Sequence, residues 1–426
     1  MTPNLYSEIG ILKKVMVHSP GPEIDIIVPE GANELLFEDI LFGEMAQEEH
    51  RAMCNVFRKY GVEVLEIKEL LITALEAASK EVVAALVDEL QLLEHLSLQV
   101  VKKLKSLTPK QLAAALIEGI LLDKHLMDDE NLYLLKPIPN LIFARDPVIV
   151  AFNRILASSM AEPVRRREAK LMIFIFTNHP ELILDKPIID LHQLGTEGTK
   201  LSLEGGDFLV LDEDTVAIAW SRRTSLKSIQ LLSKELKKLG VKNLIVAKLP
   251  NQISFIHLDT VFTRISEDEC LIYPPLFAPE SLTRADIFYF DLNQTEFKEK
   301  KYDLIFDLLN DLKIPLKPIY CGGKNNLIAQ KREQWTQGAN SFCIAPGIIL
   351  TYSRNINTIK ELSRAGYLCV NASEVLSQTF EPNFNQKTAI LLKGEELCRA
   401  RGGPRCLTHP LYRDRRLLAN ANRRQN

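Results

Sequence analysis

The sequence lacks a long apolar segment, so we do not expect a membrane protein. No uninterrupted hydrophobic run reaches the roughly 18–20 residues that a bilayer-spanning helix needs. The first residues, MTPNLYSEIGILKK, contain no apolar core of a secretory signal. An excess of charge of one sign is also missing, because 52 Lys and Arg residues nearly balance 55 Asp and Glu residues. We therefore expect neither nucleic acid nor an anionic membrane as a partner.

Cysteine is present but lacks the spacing of a disulfide scaffold or of a zinc site. The seven cysteines are Cys54, Cys270, Cys321, Cys343, Cys369, Cys398 and Cys406. Their number is odd, no two form a C-x-x-C pair, and none stands at ligand spacing from a histidine. We expect free thiols, no structural metal, and the reducing cytoplasm as the compartment.

Glycine and proline are nearly absent from residues 69–128, which contain only Gly119 and Pro109. Apolar residues recur there at helical spacing, and Thr108-Pro-Lys-Gln111 has the form of a helix N-cap with proline at the first helical position. We therefore predict an inserted small α-helical domain. The predicted division is a helical domain at 69–130 and a second domain formed by 1–68 and 131–426.

Outside this insertion, strand-like and helix-like segments alternate, which is typical of an α/β fold. Residues 12–20, 39–61 and 62–67 predict a strand, a helix and a strand. Two later segments, AIAWSRRTSLKSIQLLSKELKKLGVKNLIV and ILTYSRNINTIKELSRAGYLCV, both run strand, Ser-Arg, polar turn, helix, glycine, strand. This similarity predicts repeated ββαβ units, which bury a sheet face only against neighbouring copies. Five such units closing in a ring would use most of the chain outside the insertion.

Four short motifs carry residue types that could do chemistry. They are FARDP (143–147), EGGD (204–207), HLDT (257–260) and RGGPRC (401–406). Taken singly, each has an ordinary structural explanation: an ion pair, a tight turn, a buried histidine and a buried thiol. If HLDT is a strand, the side chains of His257 and Asp259 leave the same face of the sheet.

Together the four motifs suit a guanidinium substrate, which is planar, cationic and rich in N–H donors. Carboxylates are the natural acceptors for such a fork, and Asp146, Glu204 and Asp259 can supply them. The central carbon is a poor electrophile and needs a strong nucleophile, for which the thiol of Cys406 is suited.

Proton transfer in such a site falls to His257, whose ordinary pKa is about 6.5. We expect Asp259 to raise this pKa, so that the imidazolium can protonate departing ammonia and afterwards activate water. We also expect the cations Arg405 and Arg401, with the bound guanidinium, to raise the thiolate fraction of Cys406.

In this order and at these separations, the four motifs closely resemble the bacterial arginine deiminase family of the guanidino-modifying, or pentein, superfamily. The resemblance extends over essentially the whole chain, including VHSPGPE near the N-terminus and REQWTQGAN at 332–340. It implies a five-bladed α/β propeller with a small helical domain. It also implies hydrolysis of L-arginine to L-citrulline and ammonia, without cofactor or metal. We expect the chain to form a homo-oligomer.

The resemblance also implies roles for individual residues. Cys406 would form the covalent amidino-thiol intermediate, and His257 would be acid and base. Glu204 and Asp259 would orient the imidazole and the substrate, and Asp146 would hold the guanidinium from its other edge. The implied substrate-binding residues are Arg165 and Arg223 for the α-carboxylate, Asn140 and Phe143 along the pocket, and Asp207 and Arg401 at its mouth.

Three positions depart from the family pattern, namely Ala144, Ala400 and His409. Two alternatives stay open from the sequence. One is another guanidino hydrolase or amidinotransferase of the same fold, acting for example on agmatine or a methylated arginine. The other is a protein that binds arginine without turnover, although simple binding would need no thiol.

Overall fold

The computed structural model describes residues 2–128, 131–195, 200–294 and 298–415. Within these ranges no helix combines the length and apolar character needed to cross a membrane. Fifteen α-helices and twenty strands are present in the described ranges. Their alternation confirms the prediction of a mixed α/β fold.

The strands are β1 (Ile11–Val17), β2 (Glu63–Glu66), β3 (Ile120–Leu121), β4 (Tyr133–Leu135), β5 (Val148–Ala151), β6 (Arg154–Ala157), β7 (Ile189–Asp190), β8 (Phe208–Val210), β9 (Thr215–Trp220), β10 (Asn243–Lys248), β11 (Phe262–Arg264), β12 (Glu269–Ile272), β13 (Asp286–Asp291), β14 (Glu299–Tyr302), β15 (Lys317–Tyr320), β16 (Phe342–Ala345), β17 (Ile348–Tyr352), β18 (Leu368–Asn371), β19 (Thr388–Leu392) and β20 (His409–Asp414).

The helices are α1 (Pro22–Asp25), α2 (Pro29–Ala32), α3 (Gly43–Lys59), α4 (Ile67–Ala77), α5 (Lys80–Glu94), α6 (Leu98–Lys105), α7 (Pro109–Glu118), α8 (Arg166–Asn178), α9 (Leu191–Leu194), α10 (Leu226–Lys238), α11 (Pro274–Phe277), α12 (Ile305–Asp311), α13 (Leu327–Trp335), α14 (Ile356–Arg364) and α15 (Ala372–Val375).

Apart from the hairpin of β3 and β4, the strands of the described residues form five sheets of three to five strands. In each of these sheets, the second strand of the unit pairs antiparallel with the strand before it in the unit and parallel with the strand that follows the crossover; these second strands are β1, β6, β9, β12 and β17. Parallel neighbours require a crossover connection, usually a helix. Helices α3, α8, α10, α12 and α14 lie in the five crossovers. The same strand, strand, helix, strand unit therefore recurs along the chain.

The two ends of the described chain meet in one sheet. Strand β20 pairs antiparallel with β1, from Ile11 opposite Asp414 to Met16 opposite His409. Strand β1 in turn pairs in parallel with β2. The turn that carries Cys406 directly precedes β20, so its position depends on pairing with the first strand of the chain.

Four consecutive helices, α4 to α7, occupy most of the segment predicted as a helical insertion. They begin at Ile67 and end at Glu118. Gly119 ends the last of them with a left-handed φ of 80°, and a Cβ there would lie 2.7 Å from the carbonyl oxygen of Leu135. The predicted cap at Thr108 is present as a full capping box.

The helical segment shares a core with the sheets. Leu71 and Leu116 belong to the same buried cluster as Leu171 in α8 and Leu244 in β10. Burial of apolar surface therefore fixes α4 to α7 against the rest of the protein. The division into two domains remains a prediction.

We expect Leu244→Ala to lower the free energy of unfolding by about 2–5 kcal/mol, because the side chain is fully buried and its loss leaves a cavity. Urea denaturation followed by circular dichroism measures this change. Leu282→Ala is the matched control, since Leu282 is fully exposed, and it should stay within about 0.5 kcal/mol of wild type. Similar losses in both variants would contradict the assigned core.

Candidate active site

The four motifs occupy equivalent places in four of the repeated units. FARDP precedes β5, EGGD precedes β8, HLDT precedes β11, and RGGPRC lies in the turn before β20. Each motif therefore leads into the first strand of its sheet. This shared placement brings residues from distant parts of the sequence into contact, as in the hydrogen bond from Arg145 Nε to the Arg405 carbonyl oxygen, 260 positions apart.

Asp146 is buried and contacts two cations. Its Oδ2 accepts a hydrogen bond from Arg165 Nη1 at 2.8 Å. Its Oδ1 accepts one from the backbone N–H of Gly206 at 3.1 Å and lies 3.7 Å from His257 Nδ1. The carboxylate thus bridges an arginine and the imidazole.

Glu204 has no exposed surface and contacts the other ring nitrogen of the imidazole. Its Oε2 lies 2.9 Å from His257 Nε2, and both of its oxygens lie 3.3 Å from Arg223 Nη1. Burial alone would raise the pKa of this carboxyl, but Arg223, His257 and Arg165 lower it well below its usual range. Glu204 is therefore a carboxylate that stays ionised.

His257 does not lie in a strand, so the shared strand face considered for His257 and Asp259 does not exist. Residues Leu258–Thr260 form a 3₁₀ turn that His257 caps. Burial alone would lower the pKa of His257, but the charge of Asp146 and the hydrogen bond and charge of Glu204 raise it to about 9, with a contribution from Asp207. The imidazole is therefore protonated at neutral pH. Asp259 contributes little, because the turn directs it to Arg405 instead.

Asp259 lies beside the thiol and is paired with Arg405. Its Oδ2 accepts a hydrogen bond from Arg405 Nη1 at 2.8 Å and lies 3.7 Å from Cys406 Sγ. Arg405 is also bound to Glu8, with Nε 3.1 Å from Oε2. Its positive charge is therefore shared between two carboxylates.

The thiol of Cys406 is protonated in this state, contrary to the expectation that cations dominate its surroundings. Burial raises its pKa well above the usual value, and Asp259 and Asp146 raise it further. The backbone N–H of Gly403 and the charge of Arg405 act in the opposite direction but do not prevail. The charge of Arg405 does not prevail because it is already paired with Asp259 and Glu8.

Arg165 lies among the carboxylates rather than apart from them. Besides Asp146, it contacts both oxygens of Glu168 at 2.8–3.2 Å and lies 3.8 Å from Glu204. Its Nη2 donates to the carbonyl oxygen of Asn140, and its guanidinium lies 6.0 Å from the ring centre of Phe143. The carboxylates expected to hold a guanidinium thus already hold one that belongs to the protein.

Asn140 and Phe143, which the family resemblance implies as pocket residues, both lie beside Arg165. The side chain of Asn140, however, donates to the Leu35 carbonyl oxygen, and only its backbone contacts the arginine. Phe143 packs on Gly402, where an added Cβ would lie 2.1 Å from the ring. This glycine is needed for close approach of the turn that carries the thiol.

Asp207 is not at the mouth of a pocket, and that prediction is corrected. The side chain has no exposed surface, accepts from Ser221 Oγ at 2.6 Å, and accepts from the backbone N–H of Leu258 at 3.0 Å. Burial raises its pKa to about 7. It fixes the start of the turn that follows His257.

Arg401 covers the turn that leads to the thiol. Its guanidinium lies 3.5 Å from the ring centre of Trp335, and its Nη1 lies 3.1 Å from both oxygens of Glu38. Its φ of 68° is left-handed, which is uncommon for a residue with a side chain. Tertiary contacts therefore impose this conformation.

The three departures from the family pattern lie in the interior. Ala144 and Ala400 are buried. His409 is also buried, and within the described residues neither ring nitrogen has a hydrogen-bond partner. Burial and the nearby charge of Arg145 lower its pKa to about 3. His409 is thus a neutral core side chain that packs against Phe176.

Sequence reasoning missed two polar side chains of this centre. Glu168 binds Arg165, and its position three residues later on a helix was an available signal. Asn340, at the end of REQWTQGAN, donates to Cys406 Sγ at 3.2 Å. An asparagine in a turn carries no titratable group, so its chemistry alone did not indicate a role in this centre.

One cluster in the described residues has atoms placed closely enough for a metal ion: Asp146, Glu204 and His257 lie within 4.8 Å of one another. The guanidinium groups of Arg165 and Arg223 contact the same carboxylates. Cations already occupy these acceptors, and the imidazole is protonated. The donor set therefore suits cationic organic groups better than a metal ion.

Comparison with known sequences identifies the family. The profile described as arginine deiminase matches residues 33–413. The chain belongs to the arginine deiminase family. A protein named arginine deiminase from Listeria monocytogenes serovar 1/2a is 34% identical over 427 residues, covering 96% of this chain and 98% of the relative. One of the same name from Streptococcus agalactiae serotype Ia is 34% identical over 433 residues, with the same coverage of both chains.

Solved structures with low sequence identity share the fold. An amidinotransferase of saxitoxin biosynthesis from Microseira wollei matches with a TM-score of 0.52 at 14% identity, covering 96% of this chain and 97% of that one. The N-terminal domain of a cyanobacterial arginine dihydrolase, solved with bound substrate, matches with a TM-score of 0.51 at 14% identity, covering 94% and 98%. This chain and these enzymes thus share a mixed α/β fold of the pentein kind.

We expect His257 to titrate near pH 9 rather than near its ordinary value of about 6.5. Its ion pairs should stabilise the fold fully below about pH 6.5 and lose this effect as pH rises through about 9. Nitrogen-15 NMR of histidine-labelled protein measures the titration, with His257→Gln for assignment. Glu204→Gln should lower the midpoint, because it removes a charge and a hydrogen bond. An ordinary midpoint in wild type would contradict the assigned contacts.

Proposed function

We propose that this protein hydrolyses L-arginine to L-citrulline and ammonia. The observation that carries the proposal is the guanidinium of Arg165 lodged between Asp146 and Glu204, beside a protonated imidazole. It indicates that the carboxylates have the spacing and charge to bind a planar cation. A thiol on the neighbouring turn supplies the nucleophile that such a carbon needs.

We propose a five-bladed propeller as the architecture, with residues 1–68 and 131–426 forming the catalytic domain and 69–130 a small helical domain. Five sheets with the same pattern of strand pairing support this arrangement. The motifs before β5, β8, β11 and β20 would then meet at one end of the propeller axis. The homo-oligomeric state and the cytoplasmic location remain predictions.

Substrate binding exchanges one guanidinium for another. The incoming guanidinium replaces Arg165 at Asp146 and Arg223 at Glu204. The two released arginines are then free to bind the α-carboxylate of the substrate. Arg165 keeps its bond to Glu168, so it stays close to the site after the exchange. Recognition thus demands both a cationic and an anionic end in the ligand.

The charge of the substrate also activates the nucleophile. In the free protein, burial and the acids Asp259 and Asp146 keep the thiol of Cys406 protonated. A guanidinium placed between these acids offsets their charge and favours the thiolate. The thiol proton passes to solvent as the substrate binds. The nucleophile therefore forms mainly when its target is present.

The first chemical step forms a covalent adduct. The thiolate of Cys406 attacks the guanidinium carbon, and a carbon–sulfur bond forms. His257, protonated at neutral pH, gives its proton to one terminal nitrogen. The carbon–nitrogen bond then breaks and ammonia departs. The product of this step is a cationic amidino-thioether, and His257 is left neutral.

The second step hydrolyses the adduct. Neutral His257 takes a proton from water, whose oxygen attacks the same carbon. The carbon–sulfur bond breaks, the sulfur leaves as a thiolate, and the protonated product loses a proton to give citrulline. The thiolate regains a proton from solvent. Over both steps, arginine and water give citrulline, ammonia and one proton.

We expect Cys406→Ser to abolish citrulline formation while L-arginine still binds, because the carboxylate contacts remain. A colorimetric citrulline assay measures turnover, and titration calorimetry measures binding of L-arginine. Cys369→Ser is the matched control, since Cys369 lies in β18, outside the four motifs, and it should retain turnover. A Cys406→Ser rate within tenfold of wild type would refute the covalent route. Binding without citrulline in wild type would instead favour an arginine-binding protein.

We expect Arg223→Ala to lower kcat/KM for L-arginine about 10–100-fold. The loss with agmatine, which lacks the α-carboxylate, should be much smaller. The exposed neighbour Arg222 provides the control, and Arg222→Ala should leave both substrates unaffected. Steady-state kinetic assays with L-arginine and with agmatine measure kcat/KM for the two substrates. Equal losses for both substrates would remove the assigned role in carboxylate binding.

A further inference from the structure

We propose that Asn340 is an additional catalytic residue, whose side-chain N–H stabilises the thiolate of Cys406 and fixes the direction of its attack. The proposal rests on the function proposed above. Asn340 has no exposed surface and contacts the reacting atom, with Nδ2 3.2 Å from Sγ. None of the four motifs contains it.

The amide of Asn340 bonds on both sides of the nucleophile. Its Oδ1 accepts from the backbone N–H groups of Arg405 at 3.1 Å and Cys406 at 3.2 Å. Its Nδ2 donates to Cys406 Sγ and to the carbonyl oxygen of Asp259 at 3.1 Å. The backbone N–H groups of Arg405 and Cys406 can only donate, whereas the carbonyl oxygen of Asp259 can only accept. This fixes which end of the amide faces the sulfur.

The repeated unit independently places Asn340 in the site. The turn that carries it leads into β16, the first strand of the one remaining sheet that has no motif. Asp146, Glu204, His257 and Cys406 occupy the equivalent turns before β5, β8, β11 and β20. Each of the five units thus contributes a polar side chain from the same place, and Asn340 is the contribution of the fifth.

The surroundings of Asn340 hold its amide rigidly. Gly403 lies so close that an added Cβ would be 2.5 Å from Asn340 Oδ1. The backbone N–H of Asn340 donates to the carbonyl oxygen of Gln337 at 3.0 Å. A donor fixed in this way needs no reorganisation when charge develops on the sulfur.

The chemistry gives this donor a specific task. Asp259 and Asp146 place negative charge near the sulfur, which disfavours the thiolate, while the charge of Arg405 is shared with Glu8. A neutral N–H donor stabilises the thiolate without pairing with either acid. It acts before the carbon–sulfur bond forms and again when that bond breaks, since sulfur carries negative charge at both points.

The decisive variant is Asn340→Asp, which keeps the shape and the acceptor oxygen but removes the donor once the new carboxyl ionises. We measure the rate of iodoacetamide alkylation of Cys406, by mass spectrometry of its peptide, from pH 6 to 9. Asn340→Ala should react about tenfold more slowly than wild type across this range. The alkylation rate of Asn340→Asp should decrease further relative to wild type as pH rises, because an ionised carboxylate repels the thiolate. Loss of kcat should accompany both, with KM changed less.

Thr263→Val is the matched structural control, since it removes a buried hydrogen bond to the carbonyl oxygen of Ala339, the residue before Asn340, without touching the sulfur. It should alkylate within about twofold of wild type. Wild-type reactivity in Asn340→Asp at every pH, or an equal loss in Thr263→Val, would overturn the proposal. Alkylation requires no turnover, so absence of citrulline in wild type would refute the proposed function separately. Thermal melts confirm that the compared variants are folded.

Discussion

Pairing of buried opposite charges is the constraint on which the site depends. Asp146, Glu204 and Asp259 are almost completely removed from solvent. A carboxylate in such a place stays ionised only beside a cation or several hydrogen-bond donors. The protein supplies the cations itself, from Arg165, Arg223, Arg405 and the imidazolium of His257.

This pairing decides the resting state of the site. The positive charges are paired with the carboxylates, so they stabilise a thiolate at Cys406 only weakly, and the thiol remains protonated. In the proposed function, the ligand enters by replacing an internal guanidinium with its own. A neutral molecule of similar shape would leave buried carboxylates unpaired, which costs several kcal/mol. Selectivity for a guanidinium and activation of the thiol thus have one electrostatic origin.

The repeated unit explains how scattered residues form this centre. Every contributing turn stands directly before the first strand of a sheet. The same position in each repeated unit therefore carries a different side chain into the site. The last of these turns depends on β20, which pairs with β1 at the other end of the chain. The position of Cys406 is therefore set only when the two ends of the described chain have come together.

Much of the site could be predicted because its chemistry requires particular residue types. Carboxylates, an imidazole and a thiol in ordered motifs indicated both the reaction class and the family. Asn340 and Glu168 could not be found in this way, since an amide and a lone acid on a helix are common everywhere. The local structure of HLDT stayed open for a different reason: alternation in four residues fits a strand or a turn equally well.

The sequence by itself determined the α/β class, the run of helices after residue 66 and the residue types of the four motifs, because these follow from local periodicity and side-chain chemistry. Only the tertiary structure decided which charges pair. Arg165 lies with Asp146, Asp259 turns to Arg405 instead of His257, and Asp207 is buried behind the imidazole. Such pairings depend on distances between turns from separate sheets, and no local pattern in the chain encodes those distances.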